Sequence, residues 1–220
     1  MYLFKSKLIV GLFSLMLLAS ASAWADPSQE VMDAVKDLQH RWENIKYNMA
    51  EDKQEDAFAE LAKEARKVSE KYAGQAEPLV WEGIILSTYA GAKGGLGALN
   101  IVEDARERLQ QAEKIDPNAL QGSIYTSLGS LYYQVPGWPI GFGSDKKARK
   151  YLEKAVQMNP DGIDPNFFYG DFLYEEGEYE QALQVLNKAM QAPARPGREL
   201  ADSGRRKEVA AKIEDVKRQL

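Results

Sequence analysis

The sequence predicts an all-α chain, a right-handed solenoid of helical hairpins finished by a C-terminal capping helix. Three observations predict it. Ala105, Leu109, Ala112 and Pro117 stand at offsets 0, 4, 7 and 12; Ala148, Leu152, Ala155 and Pro160 repeat them, and Ala182, Leu186 and Ala189 repeat the first three, with Pro193 one place early. Upstream of each run a glycine interrupts an apolar helical pattern, at Gly83, Gly129 and Gly170. The tail places Val209, Ile213, Val216 and Leu220 on one helical stripe among charged residues. A small-large-small pattern recurring at a fixed interval is how stacked helix pairs announce themselves, because each pair buries its apolar face only against its neighbours.

From the N-terminus, Lys5 and Lys7 precede an apolar run from Leu8 to Leu18, and Ala23-Trp24-Ala25 closes it before Asp26. That order predicts a secretory signal peptide over residues 1–25, cleaved before Asp26, and a periplasmic or secreted mature chain. The other reading is an uncleaved anchor, since the uncharged stretch from Leu8 to Ala25 is close to the shortest that spans a bilayer. With no cysteine after the apolar run, a lipid-anchored form is excluded, and no later segment is apolar enough to span, so no stable membrane insertion is expected after cleavage.

Residues 26–220 read as one solenoid domain. Residues 28–73 form a degenerate helix pair, one helix around Val31 to Met49 and another around Gln54 to Tyr72. Three regular units follow at 76–118, 119–161 and 162–193. In each, the glycine needs a packing reason, because within a helix it costs about 1 kcal/mol relative to alanine. Close approach of the paired helix supplies one, with Ala105, Ala148 or Ala182 opposite. Asn159-Pro160 ends one helix, and Asp164 is expected to cap the next with Pro165 at its first position. Pro193 to Arg198 is a loop whose arginines are either solvated or a docking point for an acidic partner. Residues 199–220 are the cap.

Composition narrows the chemistry. There is no cysteine and one histidine, His40, which removes disulfides, thiolate nucleophiles, Cys-ligated metals and nearly all His-based catalysis. No metal or cofactor is expected, and the chain reads as a binding protein rather than an enzyme. Its net charge of −5 becomes −7 when residues 1–25 and their two lysines are removed. A nucleic-acid partner is therefore not expected, because phosphates recruit basic surface. Glu175, Glu176, Glu178 and Glu180 read as a solvated acidic edge.

On Ala-Leu-Ala-Pro, the preceding glycines and the Gly177-Glu178-Tyr179 turn, the chain resembles the tetratricopeptide repeat (TPR) family, helix-turn-helix units of about 34 residues. The resemblance covers residues 76 to 193, and implies a protein-interaction scaffold that holds a protein or peptide partner. The lysine and asparagine set with which some TPR domains clamp a terminal carboxylate is absent.

Two units depart from the pattern between their paired helices. Gly83 to Ala105 spans 22 residues and Gly129 to Ala148 spans 19, against 12 from Gly170 to Ala182. Stacking should bring these insertions side by side. The first, Gly91 to Gly97, is glycine-rich and reads as a flexible turn. The second, Tyr133 to Ser144, interleaves aromatic residues with two prolines, so it either folds back on the helices, the preferred reading, or meets a partner. Tyr133, Trp138 and Phe142 are its candidate contact residues. The groove lined by the first helix of each unit is the other candidate surface, with Val80, Ile84 and Ser87, then Thr126, Ser130 and Tyr133, then Phe167, Asp171 and Tyr174.

The aromatic turn, with Asn159-Pro160-Asp161-Gly162 after it, is also similar to the T-component-like (TatT-like) periplasmic TPR proteins associated with TRAP-type transporters. That resemblance implies a periplasmic solute-binding protein or a small apolar ligand as partner, with Tyr133, Trp138 and Phe142 along a ligand path.

Overall fold

Ser28 and Ser144 each turn a side-chain oxygen onto a backbone N–H three residues ahead, Val31 and Lys147, and each starts a helix where the apolar period begins. The computed structural model describes residues 27–220, so the signal peptide expected over 1–25 lies outside the described residues. Among the described residues there are nine α-helices: α1 (Gln29–Asn48), α2 (Glu51–Lys71), α3 (Ala76–Lys93), α4 (Leu99–Ile115), α5 (Ser123–Gln134), α6 (Asp145–Met158), α7 (Ile163–Glu175), α8 (Tyr179–Met190) and α9 (Glu199–Lys217).

They pair as α1–α2, α3–α4, α5–α6 and α7–α8, each hairpin packing on the next, with α9 against α8. The repeated Ala-Leu-Ala positions of α4, α6 and α8 are buried without exception. The glycines do make the close approach, and a Cβ on Gly83 or Gly170 would meet the expected alanine's carbonyl oxygen at 3.2 Å (Ala105) or 3.4 Å (Ala182), but the nearest atoms belong to the leucine of the pattern. A Cβ on Gly83, Gly129 or Gly170 would stand 2.6 Å from the Cγ of Leu109, Leu152 or Leu186. The alanine lies one turn earlier, and the large residue of the pattern fills the notch that the glycine leaves.

The two insertions resolve differently. The first is mostly helix: α3 continues ten residues past Gly83, whereas α5 and α7 stop five past their glycines, and α4 begins earlier relative to its alanine than α6 or α8 does. Gly94 and Gly95, both at positive φ, make the turn. The second is all loop, and it is tied down. Ser144 donates its backbone N–H to Tyr132 at 2.7 Å, and Gly143 donates to Pro136 at 3.0 Å. Gly141 and Gly143 leave no room for a side chain, since a Cβ on either would collide with the carbonyl oxygen of Pro136 or Val135.

Helix α9 departs most from expectation. Val209, Ile213 and Val216 are buried as predicted, but Leu220, beyond the helix end, is exposed. The N-terminal half is buried on a second side as well, at Ala201, Asp202, Gly204 and Arg205. This half reaches α1 as well as α7 and α8. A cap turns a polar face outward; the start of α9 instead joins the last unit to the first.

Candidate binding cavity

Where α9 meets α1, the concave side of the helix stack forms a half-open cavity of about 780 Å³. Its walls come from the first helix of every pair: Trp42 of α1, Trp81, Ile84, Ser87 and Thr88 of α3, Thr126, Ser127 and Ser130 of α5, and Phe167, Phe168 and Asp171 of α7. Arg195, Arg198 and Arg205 close it from the α8–α9 connection and α9.

The hydroxyl wall has a fixed polarity. Ser87 donates to the Gly83 carbonyl at 2.7 Å, Thr88 to Ile84 at 2.9 Å and Thr126 to Gly122 at 3.2 Å. Their protons are thus used on their own helix. Thr88 accepts the Trp42 indole N–H at 2.9 Å, which locks that ring into the wall.

Facing the hydroxyls is a network of charges. Arg205 donates from Nε to Asp164 at 2.8 Å and from Nη1 to Glu208 at 2.6 Å. Arg195 bonds Asp164 at 2.7 Å and Asp202 at 2.7 Å, while Arg198 bonds Glu43 of α1 at 3.1 Å. The Arg205 guanidinium also lies over the Phe167 and Phe168 rings, and that of Arg198 over Trp81. The expected solvated arginines are therefore built into the structure. Asp164 is likewise not the helix cap: α7 begins at Ile163 with Gly162 as its N-cap, leaving Asp164 free to turn toward the arginines. Burial alone would raise the Asp164 carboxyl, but the Arg205 and Arg195 guanidiniums outweigh it and hold the group at about 2.

Of the predicted groove residues, Ile84, Ser87, Thr126, Ser130, Phe167 and Asp171 line the cavity; Val80, Tyr133 and Tyr174 do not. Tyr133 instead makes a strut: its hydroxyl donates to Asp171 at 2.6 Å, and the other Asp171 oxygen lies 2.7 Å from Lys212 of α9. Burial and the Asp171 carboxylate push the Tyr133 phenol well above its ordinary range, so it stays a donor. Tyr174 packs against Tyr179 with the Lys212 ammonium 4.5 Å from its ring centre.

The aromatic loop divides. Phe142 folds back, edge-on to Tyr132 with the Arg106 guanidinium 4.1 Å from its ring centre, whereas Trp138 is 90% exposed at the loop tip. Tyr133, Trp138 and Phe142 do not come together, and none of them borders the cavity. Gly91, Ala92 and Gln134, at or beside the two insertions, do. His40 is half exposed with Nδ1 3.0 Å from Glu43, and the acidic edge is partly paired, Arg149 reaching both Glu176 and Glu178. Among the described residues no cluster of His, Cys, Asp and Glu has metal-binding geometry.

Sequence reasoning missed Tyr47, Trp42, Trp81 and the role of Arg205, because their partners lie more than thirty positions away and no local period marks them. It also missed the wall between α4 and α5, where Leu120 and Gln121 hold φ of 50° ahead of Gly122 at 89°. Non-glycine residues in that region cost on the order of 1–3 kcal/mol each. Both border the cavity. Gly122, which opens α5, was the one available signal.

Residues 146–198 match the family described as tetratricopeptide repeat. Among solved structures, MamA is similar at 18% identity over 74% of this chain and 88% of its own, with a TM-score of 0.44. YrrB, titled a TPR protein with an unusual peptide-binding site, is similar at 16% identity over 86% and 88%, with a TM-score of 0.42. The pilF protein of Pseudomonas aeruginosa is similar at 19% identity over 84% and 89%, with a TM-score of 0.35. No curated protein sequence matches the chain.

Proposed function

We propose, for a chain whose residues 146–198 are tetratricopeptide repeat sequence, a non-enzymatic protein-interaction role in which the concave cavity receives a peptide segment of a partner protein. The observation that carries this reading is the cavity itself, about 780 Å³, walled by the first helix of every pair. Ser87, Thr88 and Thr126 spend their protons on helix carbonyls and so offer lone pairs. An extended backbone brings N–H donors to such a wall, while Trp42, Trp81, Phe167 and Phe168 give its side chains apolar cover. The lining arginines each have a carboxylate partner, so the cavity favours a neutral or zwitterionic segment over an anion. The place of action is the periplasm or the outside of the cell, a reading that rests on the residue order of the first 25 positions.

A second occupant has an observation in its favour. The cavity volume is also that of a small-molecule site, and the TatT-like resemblance supplies an apolar ligand or a solute-binding protein as partner. The path expected along Tyr133, Trp138 and Phe142 lends that reading nothing, since those side chains stand apart from the cavity.

A photo-crosslinking residue at Ser130 in the native host, combined with native mass spectrometry of the purified chain, separates the two. A discrete polypeptide adduct that Phe167→Ala abolishes supports the peptide reading. A stoichiometric small molecule retained through purification, with no polypeptide adduct, overturns it.

A further inference from the structure

Two indole rings stand in the α1–α3 wall of the cavity, and among the described residues the N–H of only one has an acceptor. Trp42 donates to Thr88 at 2.9 Å. Trp81, edge-on to Trp42 with ring centres 6.1 Å apart, is only 6% exposed and borders the cavity, yet its N–H is unspent. An indole N–H can only donate, and a buried donor as a rule has a partner. Nor is this proton sealed in the core, where the unpartnered atoms are Arg106 Nε, Arg108 Nε, the Tyr125 hydroxyl and Asn166 Oδ1. It opens on the cavity that its ring borders. Beside it lies Arg198, with the guanidinium carbon 5.2 Å from the centre of the Trp81 ring. Arg198 spends Nε on Glu43 at 3.1 Å, and neither Nη nitrogen has an acceptor among the described residues. Arg195 and Arg205, by contrast, each join two carboxylates.

Charge decides what these donors accept. Glu43 is 4% exposed, with one oxygen on Arg198 and the other 3.0 Å from His40 Nδ1. Its carboxylate already neutralises Arg198 at contact distance. A second carboxylate drawn to the Nη groups would sit desolvated beside Glu43, where like charges repel. A carbonyl oxygen brings the same lone pairs without the charge. Farther along α3 the wall changes polarity, since Ser87 and Thr88 spend their protons on Gly83 and Ile84 and present lone pairs. These hydroxyls follow Trp81 by six and seven residues, about 10 Å along the helix at roughly 1.5 Å per residue. An extended polypeptide covers about 10 Å in roughly three residues. One strand can therefore give a carbonyl to the Trp81–Arg198 end and an N–H to the hydroxyl end. A helical ligand, whose carbonyls are spent within its own helix, cannot.

We propose that Trp81 and Arg198 form a carbonyl subsite, which takes a backbone amide oxygen of an uncharged, extended stretch of polypeptide and so sets its register in the cavity. This rests on the peptide reading of the cavity and sharpens it: the occupant is held by its backbone, in extended form, with an uncharged group at this end.

The indole protons report on this subsite one by one in nitrogen–proton correlation spectra of the isotope-labelled full chain, with Trp42→Phe, Trp81→Phe and Trp138→Phe assigning the resonances. The probe is the capped amino acid N-acetyl-alanine N-methylamide, which is uncharged and carries two amide groups. On its addition the Trp81 indole proton should move downfield and saturate, while that of Trp42, already bonded to Thr88, stays in place. Trp138, 90% exposed, should show only the small linear drift of a group in mixed solvent. Arg198→Lys keeps a positive charge for Glu43 but removes the Nη donors, and should weaken the Trp81 response roughly three- to ten-fold in probe concentration, the size of one lost hydrogen bond. A silent Trp81, a drift equal to that of Trp138, an unchanged response in Arg198→Lys, or saturation by acetate and not by the amide overturns the proposal. The peptide reading is tested separately: a polypeptide adduct at position 130 together with a silent Trp81 leaves that reading in place and removes only the carbonyl subsite.

Discussion

The ring of Tyr47, on α1, occupies the space in which a Cβ on Gly204, on α9, would stand. This contact brings the first and last helices together, and its neighbours reinforce it: the Tyr47 hydroxyl lies 3.5 Å from Glu208, and Arg198 bonds Glu43. Gly204→Leu should push α9 away from α1 at a cost of about 1–3 kcal/mol, the range for overpacking a filled site. Urea denaturation should show a lower midpoint, and small-angle scattering a larger radius of gyration. An unchanged radius would mean that the helices are held together by something other than this seat.

The repeat glycines make a sharper comparison. Gly129→Ala sets a methyl against Leu152 and should destabilise by about 1–3 kcal/mol despite the better helix propensity of alanine. Gly91→Ala, near the end of α3 with nothing within 4 Å, should stabilise by up to about 1 kcal/mol. Opposite signs in chemical denaturation of the two variants would separate packing from propensity within one chain.

The contrast between those glycines shows what the sequence could convey. The Ala-Leu-Ala period and its glycines were legible because they are local and recur, and they place the first-helix wall of the cavity, with Ser87, Thr126, Ser130 and Phe167 on it. Tyr133 was misplaced because a helical period gives the face of a residue but not the length of its reach; its hydroxyl passes behind the wall to Asp171. Arg205 and Asp164 were missed for a different reason. Their pairing joins α9 to α7 across 41 positions, and a charged residue on an amphipathic helix reads as solvated until the fold supplies a second neighbour. The closure of the stack is a property of all the hairpin angles together, and no single unit encodes it.

The aromatic loop should divide by stability as it does by position. Trp138→Ala removes a side chain that is 90% exposed and should change the unfolding free energy by less than about 0.5 kcal/mol. Phe142→Ala removes the ring between Tyr132 and Arg106 and should cost on the order of 2 kcal/mol. Equal effects in thermal or urea unfolding would show that the loop is anchored elsewhere.

The charge network at the end of the cavity should appear as an acid-dependent loss of stability. Asp164 has its folded-state pKa held at about 2 by Arg205 and Arg195, below the 3.8 of the unfolded chain. A depressed carboxyl contributes fully above the unfolded value and loses its contribution as pH falls through the folded one, so the window runs from about pH 4 to pH 2. The shift corresponds to roughly 2 kcal/mol at most, reduced because about a third of the side chain (32%) is open to solvent. Asp164→Asn should flatten the stability-pH curve in that window. It should also lower stability at neutral pH, on the order of 3 kcal/mol, because Arg205 is left buried with Glu208 as its remaining carboxylate. A variant as stable as the parent at neutral pH, with the same acid slope, would show that the arginines draw their support from Glu208 and Asp202 alone.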